Sequence, residues 1–254
     1  MIRLYLDRGT ALHHLNPTAK LLAMALSCLA ALIDDDPAYL AVLMLLALVL
    51  LLLARATSHL RRLWFFIPMF FLLGLFFWVV FYPGSTPVFE LAGWTLHREP
   101  LMRGLAVACR TSAFFLLGLT FLACMPVEEF ATGLRSLGLP AAGTLALTLA
   151  FRLMPLYMES AATVLQAQKL RGLEPDRGGP LARAQRMVPL LVPTTLSALR
   201  NVDLMAMALE SRGFGAHRPR SEYRSYPWRP ADTIALALPS LVIALALVRL
   251  WSVP

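Results

Sequence analysis

Long apolar runs, broken by short polar or charged stretches, set the plan of the first 125 residues. Residues 1–16 are polar and basic (Arg3, Arg8, His13, His14) and read as an interfacial leader. Asn16 ahead of Pro17 reads as an N-cap followed by a proline in the first turn. A first span is predicted over 18–33, broken by Asp34-Asp35-Asp36-Pro37, and a second over 38–54. Both fall a little short of the ~20 residues that cross a bilayer core. Arg55, Arg61 and Arg62 precede a third span, 63–82, rich in Phe and Trp. A loop over 83–100, with Gly84, Pro87 and Gly93, leads to a fourth span over 104–125. Arg110 lies inside this span, where it either snorkels to the interface or makes a polar contact with another helix or a partner.

After Pro126 the pattern changes. Residues 127–137 are amphipathic, and 141–158 are apolar enough to span. Charge argues against a crossing there. The three-aspartate loop belongs outside and the arginines of 55–62 inside, which puts the N-terminus and residue 125 inside. Residues 169–229 are dense in Lys and Arg and should also be inside. The segment 141–158 is therefore expected to lie along, or dip into, the cytoplasmic face, amphipathic around Arg152 and Pro155. Pro175, Gly178, Gly179 and Pro180 make a turn. A helix over 181–199, kinked at Pro189 and Pro193, leads into another over 196–212 with Leu199, Val202, Ala206 and Leu209 in one stripe. A basic strip, 217–230, precedes a last span, 231–250. An odd number of spans leaves the C-terminus outside.

Composition agrees: the chain is 58% hydrophobic and 15% charged, too apolar for an ordinary soluble domain. Its net charge of +8 is then a topology signal rather than a sign of nucleic-acid binding. Cys28, Cys109 and Cys124 all lie in apolar runs without metal-ligand spacing and read as packing residues. The sequence holds no Gly-x-x-x-x-Gly-Lys-Ser/Thr phosphate loop, no dinucleotide fingerprint and no catalytic constellation. No enzyme activity, cofactor or metal site is expected, since His13-His14 lacks a second ligand pair. Few polar groups lie within the spans, which argues against a proton relay or a substrate path.

One short pattern occurs twice, in Ala167-Gln168-Lys169-Leu170-Arg171-Gly172-Leu173 and in Ala208-Leu209-Glu210-Ser211-Arg212-Gly213-Phe214. Each copy closes a predicted helix with a glycine suited to a left-handed C-cap. Taken singly, each Arg is explained by the helix dipole. As a pair, they would present two guanidinium forks from rigid helix ends to a soluble partner.

These motifs, with Leu12-His13-His14-Leu15-Asn16-Pro17-Thr18-Ala19-Lys20 and Phe151-Arg152-Leu153-Met154-Pro155, resemble the transmembrane T component of energy-coupling factor (ECF) transporters. The leader departs from that family at Asn16, Thr18 and Ala19, where Asp, Arg and Thr are usual. The resemblance implies an all-α integral membrane protein of the prokaryotic cell membrane, with about five transmembrane helices and a cytoplasmic or interfacial module of coupling helices. The division is then 1–125, four spans; 126–230, coupling module; 231–254, last span. The resemblance further implies a non-catalytic coupling subunit of an ABC-type importer. It would transmit ATP-driven motion from two ATPase subunits to a separate substrate-binding S component, for uptake of a vitamin or a metal ion. Docking would fall to Leu170, Arg171, Gly172, Ser211, Arg212 and Gly213, supported by Ala167, Gln168, Ala208, Glu210, Phe214, Arg152 and Pro155. The partners implied are those ATPases, the S component and the bilayer, with no nucleic acid. The alternatives are a stand-alone permease binding its own substrate, or a membrane enzyme.

Overall fold

The first two helices begin where a capping side chain stands ahead of a proline. In the computed structural model, which describes residues 10, 12–55, 63–82, 86–91, 94–173, 179–215 and 226–252, α1 spans Pro17–Ile33. Asn16 Oδ1 accepts the Thr18 N–H at 2.9 Å, and Pro17 occupies a position whose N–H would have had no helical partner. The same arrangement opens α2, Pro37–Leu53, where Asp36 Oδ1 accepts the Ala38 N–H at 3.1 Å. Asp34 Oδ1 in turn accepts the Asp36 N–H at 2.9 Å, which tightens the acidic turn. The residues Arg3, Arg8, Arg61, Arg62, Pro83, Gly84, Gly93, Pro175 and Gly178, and the stretch 217–225, lie outside the described residues.

Helix α3, Phe66–Phe81, is followed by an antiparallel hairpin, β1 Pro87–Leu91 and β2 Trp94–His97. The segment expected as a loop over 83–100 thus holds two short strands, paired Phe89 with Leu96 and Leu91 with Trp94. Its strands are too short to betray themselves by alternation. Helix α4, Arg98–Cys124, starts earlier than the expected residue 104. Pro100 lies in its first turn, where proline is tolerated, and so does not mark the end of a loop.

Beyond α5, Val127–Ser136, come α6, Ala141–Leu170, and α7, Pro180–Ser211, with 30 and 32 residues. Each merges two segments that the sequence separates. Pro155, Pro189 and Pro193 lie inside continuous helices, each forgoing one N–H bond without ending the helix. Helix α8, Pro230–Ser252, closes the chain. Eight helices and one hairpin make up the described secondary structure, an all-α membrane protein with a small β ornament.

The chain divides into two compact units, Met1–Ala141 with Tyr226–Pro254, and Ala142–Ser225. In the first, α4 is the central element and packs on α2 and α3, while α1 packs on α8 and α5. Helix α5 falls within the first of these units. Leu51 and Leu116 meet in one buried cluster, and Leu40, Ala106 and Ala113 in another. Small residues set the α3–α4 approach: a Cβ on Gly74 would stand 2.9 Å from the Ala108 Cα. In lipid, where apolar burial gives little drive, such close backbone packing is what holds helices together. The aromatic C-terminal end of α3 also holds Arg103, whose Nη1 donates to Tyr82 Oη at 3.0 Å.

By length and composition α4, α6 and α8 are long and apolar enough to cross a membrane, while α1, α2 and α3 are shorter apolar helices. In the second unit no described side chain of α6 or α7 is buried. Met154, Met158, Leu191, Leu199, Leu204 and Met207 are each about half or more exposed there.

Candidate functional site

The two arginine motifs fold into the same cap. At the end of α6 the Gly172 N–H donates to Lys169 O at 3.0 Å and the Leu173 N–H to Gln168 O at 3.0 Å. At the end of α7 the Gly213 N–H donates to Glu210 O at 2.8 Å and the Phe214 N–H to Leu209 O at 2.9 Å. These paired bonds form the Schellman arrangement, with glycine in the left-handed position. Gly172 has φ 91° and Gly213 φ 73°, as the sequence led us to expect. The arginine is in both copies the residue just before that glycine, so the cap fixes the backbone from which it projects.

Arg171 and Arg212 are exposed, and among the described residues neither guanidinium has a partner. Leu170, beside Arg171, is 91% exposed. Ser211 Oγ donates back to Ala208 O at 3.0 Å, which keeps it on the helix. Ala167, Ala208 and Glu210 are exposed, and Gln168 and Phe214 half-buried, within the same final turns. Arg152 and Pro155 are exposed in the middle of α6, away from both caps in sequence. The arrangement offers two unspent forks, each able to make bidentate, charge-assisted bonds to a carboxylate.

A second polar assembly was not foreseen. Lys20, buried in α1, donates from Nζ to His13 O at 2.8 Å, Cys124 O at 3.1 Å and Glu129 Oε2 at 2.7 Å. All three of its donors are used, and α1, the end of α4 and α5 are tied together. Asp232, fully buried at the start of α8, accepts the Asn16 N–H at 2.6 Å and the Arg229 N–H at 2.7 Å. Asn16 Nδ2 donates to Tyr226 O at 2.8 Å. Asn16 serves this network with both ends of its side chain, Oδ1 capping α1 and Nδ2 reaching Tyr226 O. An aspartate could cap α1 equally well but has no donor for Tyr226 O, and it would add a carboxylate beside Asp232. The leader motif is therefore a junction. Its clue in the sequence was a lysine and an aspartate at the edges of apolar runs, which end-of-span charge accounts for just as well.

The acidic turn is satisfied in a similar way. Arg110 Nε donates to Ala31 O at 2.8 Å and Nη2 to Asp34 O at 2.9 Å, and the guanidinium pairs with Asp35. Of its two readings, contact with another helix is the one observed: Arg110 closes the carbonyls at the end of α1. Arg249 of α8 pairs with Asp36. Among the described residues no three His, Cys, Asp or Glu side chains gather as a metal site. The His13 ring instead meets Thr10 Oγ1 at 2.6 Å.

A family model described as cobalt transport protein, CbiQ, matches residues 8–223. The chain is similar to the energy-coupling factor transporter transmembrane protein EcfT of Staphylococcus aureus, 29% identical over 258 residues, covering 96% of this chain and 93% of the relative. Its counterpart in Thermotoga maritima is 29% identical over 261 residues, covering 97% and 93%. That of Listeria innocua is 30% identical over 243 residues, covering 91% of each.

Proposed function

Because the chain belongs to the CbiQ family, we propose that it is the transmembrane coupling subunit of an energy-coupling factor importer. In this reading it binds two ABC-type ATPase subunits and a separate substrate-binding membrane protein. It passes nucleotide-driven motion from the first to the second, for uptake of a vitamin or a metal ion. ATP hydrolysis belongs to the partner chains.

The observation that carries the reading is the pair of matching caps, each presenting an exposed, unpartnered arginine from a rigid helix end. Each fork bound to an ATPase carboxylate contributes about 1.5–3 kcal/mol. The unburied apolar side chains of α6 and α7 support partners of a second kind. Methionines such as Met154, Met158 and Met207 suit a surface that repacks against another membrane protein. The topology that fits keeps α1, α2, α3, α4 and α8 as spans and places the coupling helices on the cytoplasmic face of the cell membrane, following the Lys/Arg distribution. At about 45 Å, α6 exceeds the ~30 Å hydrocarbon core, so length alone does not make it a span.

The test is co-purification of the tagged chain with its ATPases, followed by uptake in vesicles. Arg171→Ala and Arg212→Ala should each weaken ATPase retention ten-fold or more, as ~2–5 kcal/mol is the usual cost of truncating an interfacial charge partner. Lys at either position should be clearly impaired, because an ammonium cannot reproduce the fork. Full retention and normal uptake in the double Ala variant would sink the docking role.

A further inference from the structure

The chain leaves the first compact unit after Ala141 and returns to it at Tyr226. Both connections are held by one turn of α1. On the outgoing side, α5 is fastened by the Lys20–Glu129 pair at 2.7 Å and by Thr18 Oγ1 with Ser136 Oγ at 2.6 Å. Gly133 lies so close that a Cβ there would stand 3.1 Å from Pro17 O. On the returning side, Tyr226 O is held by Asn16 Nδ2, and Asp232 bridges the Asn16 and Arg229 N–H groups. Residues 16, 18 and 20 occupy little more than one helical turn.

We infer that this turn is the clamp at which both connections to the coupling helices are rooted, and that Asn16, Lys20, Glu129 and Asp232 are positioning residues for energy coupling. The inference rests on the reading of the chain as a coupling subunit. Stability alone is a poor reason for such a cluster, since a buried ion pair is commonly no better than apolar residues of the same size. What a fully bonded polar cluster does supply is a unique geometry. Displacement of either connection is then delivered to α1 through fixed bonds instead of being lost in a compliant link.

The experiment compares the complex with its ATPases, reconstituted in vesicles, measuring ATPase retention, hydrolysis rate and substrate uptake per ATP. Lys20→Met removes the outgoing root. Asn16→Ser keeps an N-cap oxygen but deletes the donor to Tyr226 O. Both variants should retain their ATPases and hydrolyse ATP, while uptake per ATP falls about ten-fold in Lys20→Met and a few-fold in Asn16→Ser. In a background lacking the native cysteines, Thr18→Cys with Ser136→Cys should form a bridge, the hydroxyls being 2.6 Å apart. Oxidation should restore uptake per ATP to Lys20→Met, and reduction should remove it again. A purely structural role predicts less inserted protein and fewer assembled complexes, with uptake per ATP unchanged in those that assemble, and that result would overturn the clamp. If Lys20→Met does not insert, Asn16→Ser decides alone: an unchanged ratio overturns it. An unaltered chain that retains no ATPase would overturn the coupling reading, and the clamp with it.

Discussion

Replacing the cap glycines tests whether the direction of the arginines, and not only their charge, matters. Gly172 and Gly213 have φ of 91° and 73°, and a Cβ at either would meet nothing within 4 Å. Steric crowding therefore predicts no effect from Gly172→Ala or Gly213→Ala. Backbone strain predicts a loss, because an L-residue in the left-handed region costs roughly 1–2 kcal/mol. Reduced freedom of the frayed turn returns about 0.4–1 kcal/mol of this. The remainder, about 1 kcal/mol, shifts the ratio of capped to frayed ends roughly five-fold. Fraying frees the Leu170 and Arg171 backbone and loosens the aim of the guanidinium, so ATPase affinity should fall as the capped fraction falls, by at most about that factor. The series Gly, Asn, Ala, Val should rank in that order, since Asn tolerates the conformation and a β-branched residue does not. ATPase titration onto the purified subunit, with size-exclusion profiles as a folding control, reads the effect. Equal affinity for Gly172→Ala and Gly172→Val, both matching the parent, would refute the strain argument.

Two further outcomes concern packing and topology. Gly74→Val should destabilise the α3–α4 contact by about 1–3 kcal/mol, because its Cβ would press on the Ala108 backbone; a lowered Tm of the purified subunit checks this. Leu137→Cys, exposed after α5, should react with an impermeant maleimide only from the cytoplasmic side in a background lacking the three native cysteines; labelling from outside intact cells would overturn the five-span topology.

The ends of helices were legible because their causes lie within a few residues. Asn16-Pro17 and Asp36-Pro37 start helices, and Arg171-Gly172 and Arg212-Gly213 end them, each by bonds no more than five positions apart in the chain. The apolar runs were legible because a bilayer demands uninterrupted hydrophobic length. Two local readings still needed the fold. Pro100 punctuates the sequence like the end of a loop, yet it lies in the first turn of a helix, where its missing N–H costs nothing. The hairpin over 87–97 was too short to show a period. The polar junctions were beyond local reasoning altogether. Arg110 meets Ala31 across 79 positions, Lys20 meets Glu129 across 109, and Asn16 meets Asp232 across 216. Taken alone, each of these charges at the edge of an apolar run is explained by snorkelling or by the positive-inside rule. Only the helix packing brings donor and acceptor within 3 Å of each other, and nothing in the spacing along the chain encodes that distance.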